Sequence, residues 1–184
     1  MRRFVHKSAV VLIAVCTLAI LYAWNAKADQ ALDQPPIPPK FRLPAHEVWP
    51  VRYRLDLTVV PDHDTFIGAV EIDLQLAKST SVLWLNGERL TVKDATLTVG
   101  DEKLAAKVIS EPQDYVGFAF DHPVGPGEAT LRVVYQGEIS RKDQQGIFQM
   151  KDGDRWYVYS QFEAIWARRA FPCFDEPSTR SPGS

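Results

Sequence analysis

Residues 160–177, SQFEAIWARRAFPCFDEP, gather two arginines, three carboxylates, one cysteine and four aromatic rings, the densest chemistry in a chain of 184 residues. Ahead of them, Arg155-Trp156-Tyr157-Val158-Tyr159 reads as a strand that delivers Gln161 and Glu163 to its far end. Two positions apart on an extended backbone, both side chains leave from the same face. A carboxylate beside an amide is a good receptor for a cation bearing several N–H donors, such as a free α-amine. The competing reading is that Glu163 pairs with Arg168 or Arg169, and residue chemistry alone favours that pairing.

Other residue types that do chemistry are less well placed. A zinc-peptidase helix needs two histidines four residues apart with a glutamate between them. His46-Glu47-Val48-Trp49-Pro50 lacks the second histidine, and Pro50 breaks the helix. His63 and His122 read as exposed turn residues without a Cys or His nearby, so no metal site is expected. The glycines around Val124 and Pro126 alternate with prolines, which cannot present the consecutive amides of a phosphate cradle. Cys173 lies between Pro172 and Phe174 with no histidine within fifty residues. It reads as a buried structural thiol, since a nucleophile needs a neighbour that lowers its pKa.

The elements that must position these residues are strands. Tyr53, Leu55, Leu57 and Val59 alternate with Arg52, Arg54, Asp56 and Thr58, giving a half-buried strand with one wet face. After the turn Pro61-Asp62-His63-Asp64, Phe66, Gly68, Val70, Ile72, Leu74 and Leu76 define the buried side of a second strand, and the two suggest a hairpin. Further strands are expected at Ser81–Leu85 (ending at the Asn86-Gly87 turn), Leu90–Val99, Lys103–Ile109, Tyr115–Phe120, Glu128–Ile139, Gly146–Met150 and Arg155–Ser160. No window between 51 and 160 shows a sustained helical face. The fold class is therefore all-β: an antiparallel β-sandwich or saddle-like sheet of about nine or more strands.

Three regions are expected. Residues 1–28 resemble a signal peptide: Arg2, Arg3 and Lys7 precede the uncharged run Ala9–Trp24, and Ala26-Lys27-Ala28 offers a cleavage site. The rival, a membrane anchor through residues 9–24, has sixteen apolar residues where about 20 are needed to span. Residues 29–45 hold five prolines and read as an extended tether, and 46–184 as one β-domain. Cleavage leaves 17 of the 21 basic residues against 23 acids, a net charge of about −6 with no basic stripe. A nucleic-acid partner is thereby excluded. An exported protein, periplasmic or extracellular, is expected, touching a membrane only through an uncleaved signal segment. With Cys16 removed and Cys173 alone, no internal disulfide is available.

Gln161-Phe162-Glu163, followed by Ala167-Arg168-Arg169-Ala170-Phe171-Pro172-Cys173-Phe174-Asp175-Glu176-Pro177, resembles the N-terminal β-domain of the aminopeptidase N family of zinc aminopeptidases. Arg42-Leu43-Pro44 and Pro50-Val51-Arg52-Tyr53-Arg54-Leu55-Asp56-Leu57 are similar to its opening strand, and Phe66-x-Gly68-x-Val70-x-Ile72 to its second. The resemblance runs from about Phe41 to Pro182. It implies that Glu163 binds the free N-terminus of a peptide and that Gln161 lines the adjoining side-chain pocket. It further implies that Arg168, Arg169, Phe171, Pro172, Cys173 and the Asp175-Glu176-Pro177 turn are scaffold. Trp166 departs from the family, which often has a small acidic residue there.

The family's Gly-Ala-Met-Glu-Asn loop and His-Glu-x-x-His zinc motif do not occur in this sequence, although Arg180-Ser181-Pro182 fits the family's Lys-x-Pro. The expectation is the front piece of an aminopeptidase, without catalytic residues or cofactor of its own and inactive alone, zinc belonging to the full-length family. The alternative is a stand-alone exported module that binds peptide N-termini, or a scaffold, without catalysis.

Overall fold

The structure is a computed structural model that describes Leu43, residues 47–110 and residues 114–175. All of these fall in the second of two units into which the chain divides, Pro38–Ser184. The signal segment, the tether apart from Leu43, His46, Glu176, Pro177 and Arg180-Ser181-Pro182 lie outside the described residues.

Ten strands follow one another, joined by turns and closed by one short 3-10 turn: β1 (Val48–Thr58), β2 (Thr65–Leu76), β3 (Thr80–Asn86), β4 (Leu90–Val99), β5 (Glu102–Ala105), β6 (Lys107–Ser110), β7 (Tyr115–Val124), β8 (Gly127–Glu138), β9 (Gly146–Asp152) and β10 (Arg155–Gln161). They form a five-stranded sheet in the order β1-β2-β8-β4-β5, a three-stranded sheet β3-β7-β6, and the two-stranded hairpin β10-β9. Every pairing between these strands is antiparallel.

Period-two patterning explains which side of each strand is buried. On β2, Phe66, Gly68, Val70, Ile72, Leu74 and Leu76 are all buried. On its neighbour β8, Ala129, Leu131, Val133 and Tyr135 are buried too. They share one core with Leu83 and Leu85 of β3 and Val116, Phe118 and Phe120 of β7, so the two larger sheets bury their apolar faces in common. β7 is buried on its other face as well, where Tyr115 joins Trp84 and Leu43 in a second, smaller cluster.

The polar face of the five-stranded sheet carries a charge ladder. Asp73 accepts from Arg52 Nε at 2.9 Å, from Arg54 Nη1 and Nη2 at 3.1 Å each, and from the Thr130 hydroxyl at 3.1 Å. Arg54 Nε also donates to Glu71 at 2.8 Å.

Four local expectations are corrected. The single strand expected over Lys103–Ile109 is two strands in different sheets. The chain crosses at Ala106, whose N–H donates to the Ala95 carbonyl at 2.9 Å. The strand expected to stop at Phe120 continues to Val124, so His122 is a strand residue with its Nε2 3.2 Å from Glu102. Leu55 shares its face with its register partner Val70 yet stays 40% exposed, because β1 is an edge strand and the opposing sheet is two strands narrower. Asn86 does end a strand, but it is fully buried and bridges to Cys173 instead of lying in a solvated turn.

Candidate functional site

β10 ends at Gln161, opposite Gly146 of β9. The chain then turns: the Trp166 N–H donates to the Phe162 carbonyl at 2.9 Å, and Ala167–Arg169 form one 3-10 turn. The Gln161 side-chain oxygen accepts from the Glu163 N–H at 3.3 Å. That bond ties the Gln161 side chain to the backbone of the turn, and strand alternation does not govern Glu163, which lies past the end of the strand. Gln161, Phe162 and Glu163 are all exposed, and the Glu163–Ala164 peptide is cis.

Neither arginine meets Glu163. Arg168 is buried against Asp175: its N–H and Nε lie 3.3 and 3.4 Å from Oδ2, and its Nη2 donates to the Asp175 carbonyl at 3.1 Å. Arg169 donates through Nη2 to Glu88 at 2.6 Å and through Nη1 to Asp143 at 3.2 Å, while its guanidinium lies 4.6 Å from the centre of the Trp166 ring. Burial opposes the charge on Arg169, but the bonds and charges of Glu88 and Asp143 outweigh it and hold its pKa above the ordinary value. Trp166, the residue that departs from the family pattern, thus covers one face of Arg169. Among the described residues Glu163 has no ion pair. The arginine pairing favoured by residue chemistry alone does not occur, because both arginines serve the frame of the turn.

The rest of the motif anchors this turn to the sandwich. Asn86 and Cys173 exchange backbone hydrogen bonds at 2.8 and 3.0 Å, and the Asp175 N–H donates to Asn86 Oδ1 at 3.0 Å. The Phe174 N–H donates to the Tyr53 hydroxyl at 3.0 Å. Phe171 sets its ring edge-on to both Tyr53 and Phe162, at 6.0 and 6.1 Å between centroids, and Pro172 is buried. Cys173 is free and buried; burial, and then the charge of Asp175, push its thiol above the ordinary value and keep it neutral. That is the environment of a structural thiol.

Five supporting residues had no site role from sequence: Tyr53, Asn86, Glu88, Asp143 and Gly146. Gly146 carried the one usable signal, a glycine opening a strand. Its φ is +70°, and a Cβ there would come within 2.6 Å of Arg169 Cβ, so only glycine lets the turn lie this close to β9. The others act at sequence separations such as 89 residues for Asn86 with Asp175, which no local pattern reveals. Among the described residues, no group of three or more His, Cys, Asp or Glu is arranged to hold a metal.

Among known proteins, the chain is similar to aminopeptidases. The chain is 30% identical over 167 residues to aminopeptidase M1-A of Oryza sativa subsp. japonica, covering 85% of this chain and 18% of that protein. It is 29% identical over 189 residues to human endoplasmic reticulum aminopeptidase 1, covering 97% and 20% respectively. Aminopeptidase A of Gloydius brevicauda is 29% identical over 150 residues, covering 77% and 16%. The chain thus spans a fifth or less of the length of these relatives. The profile of the peptidase M1 N-terminal domain matches residues 49–182, nearly the whole of the described sandwich and its anchored turn, and the chain belongs to that family.

Proposed function

We propose that this domain recognises the free N-terminus of a peptide, as the amine-binding part of an aminopeptidase. Glu163 is the receptor for the α-ammonium group, and Gln161 fixes the carboxylate's turn while bordering the first side chain. One observation supports this above the others: Glu163 is an exposed carboxylate on a braced turn, and the two cations nearest in sequence are committed to Asp175, Glu88 and Asp143. An ammonium offers the three donors that such a site lacks. The reading assigns the domain recognition of the amine. Aminopeptidase activity is named for the longer relatives, of which this chain spans a fifth or less.

The test is a titration of the full chain, followed by calorimetry or amide chemical shifts, with a tripeptide bearing either a free or an acetylated N-terminus. With one charged contact, a dissociation constant in the millimolar range, about 4 kcal/mol, is expected for the free form. Acetylation or Glu163→Gln should remove that binding. It should also fade as pH rises through about 8, where the peptide's own amine loses its proton. Equal binding of the acetylated peptide, or an unaffected Glu163→Gln variant, would refute the reading.

A further inference from the structure

The open strand edges of this fold are not treated alike. On β1 the edge carries Pro50, a bulge between Pro50 and Arg52, and the basic and acidic side chains of Arg52, Arg54 and Asp56. Proline, bulges and charge all discourage pairing with another chain. β5 and β6 have only four residues each. β3 is bridged at Asn86 by Cys173. β10 has none of these protections: seven residues without proline or bulge, and a single charge at Arg155.

The direction of its backbone groups follows from β9. The Ile147 carbonyl accepts from the Ser140 N–H at 2.9 Å, and the Gln149 N–H donates to the Ser140 carbonyl at 2.8 Å. Ile147 and Gln149 therefore turn away from β10, while Gly146, Phe148 and Met150 face it. Their register partners Gln161, Tyr159 and Tyr157 are the β10 residues bonded to β9. Strand alternation then directs the N–H and C=O of Trp156, Val158 and Ser160 to the open side. Among the described residues, no backbone group meets them. The side chains beside this edge are unusually apolar for a surface, with Tyr157, Tyr159 and Met150 exposed by 43, 49 and 49%. Tyr159 is held flat by stacking on Phe148, with ring centroids 5.6 Å apart and 24° between planes.

We propose that β10 is a self-pairing edge whose partner is a second copy of this chain, joined antiparallel about a two-fold axis at Val158. In that register Val158 bonds its own counterpart, and Trp156 lies opposite Ser160 of the second copy, so all three outward residues find partners. Tyr157 faces Tyr159 of the second copy across a non-hydrogen-bonded position, where side chains approach most closely. Arg155 lies opposite Gln161 of the second copy. The seam is thus complementary to itself in backbone and ring, as a two-fold contact requires. It also converts a two-stranded hairpin into a sheet of four strands, which is sturdier than two. The inference does not depend on what Glu163 binds.

Sedimentation velocity over micromolar to submillimolar concentrations tests this, using the full chain and residues 38–184, the compact unit holding every described core residue. Both should show a monomer–dimer equilibrium. Ser160→Pro removes one outward N–H from an exposed residue and leaves the β9 ladder intact, so it should weaken the dimer by about tenfold or more. Tyr159→Lys places a charge in the seam and should do the same, which guards against misfolding of the proline variant. An equimolar mixture of Tyr157→Cys and Tyr159→Cys chains should cross-link under mild oxidation faster than either alone, because the register sets these positions opposite each other. A monomer throughout, or a dimer indifferent to both Ser160→Pro and Tyr159→Lys, would overturn the proposal.

Discussion

At the scale of single residues, Arg169 and Arg89 share both acceptors and differ in burial. Arg169 is nearly enclosed, with Glu88 and Asp143 on its two terminal nitrogens, and its Nε is buried without a hydrogen-bond partner. Arg89 reaches the same carboxylates only at 3.6 and 3.9 Å from an exposed position. Removing one partner from a buried ion network leaves charge without compensation, whereas exposed pairs are screened. Arg169→Ala should therefore lower the unfolding free energy by roughly 2–4 kcal/mol, and Arg89→Ala by less than about 1 kcal/mol. Urea melts of the two variants decide it; equal losses would mean that Arg169 does not brace the turn. The arginines themselves were legible as members of a recognisable motif. Their acceptors were not, since Asp143 is 26 residues away and nothing local marks it.

At the scale of elements, the alternation in β2 translated position by position into burial, because that strand lies between two neighbours and under the opposing sheet. The same alternation misjudged Leu55, whose strand is an edge, and could not show that Lys103–Ile109 divides between sheets. Glycines mark where neighbouring strands carry their largest rings. Gly137 is paired with Phe66, and Gly68 with Tyr135, and a Cβ at either glycine would overlap the ring opposite. Phe66 and Tyr135 are themselves buried and packed edge to face at 6.3 Å, so neither can swing aside. Gly137→Ala should cost about 1–3 kcal/mol through overpacking. A denaturation midpoint equal to that of the parent would show that the Phe66 ring has another place to go.

For the molecule as a whole, the charge ladder and the braced turn give stability an acid limb. Burial alone would raise the pKa of Asp73, but the bonds from Arg54, Arg52 and Thr130 prevail and hold it below the usual range. Asp143 is likewise lowered, with the Ser140 hydroxyl and Arg169 outweighing its burial. A carboxyl depressed in the folded state adds stability above its unfolded value, near 3.9, and loses it as pH falls through the folded value. Stability should therefore be level above about pH 5 and fall steeply below about 4. Asp73→Asn should flatten that limb in thermal melts collected across pH, and an unchanged slope would count against the ladder. The sequence by itself determined an all-β class, most strand positions, the burial of Cys173 and a motif that names the family. These rest on period-two patterning and on rare residue types in a short span, both local properties of the chain. Only the tertiary structure decided strand order, the separation of both arginines from Glu163, the role of Asn86 as an anchor, and which edge is left unguarded. Each of those depends on contacts between segments far apart in the chain, which local patterning does not encode.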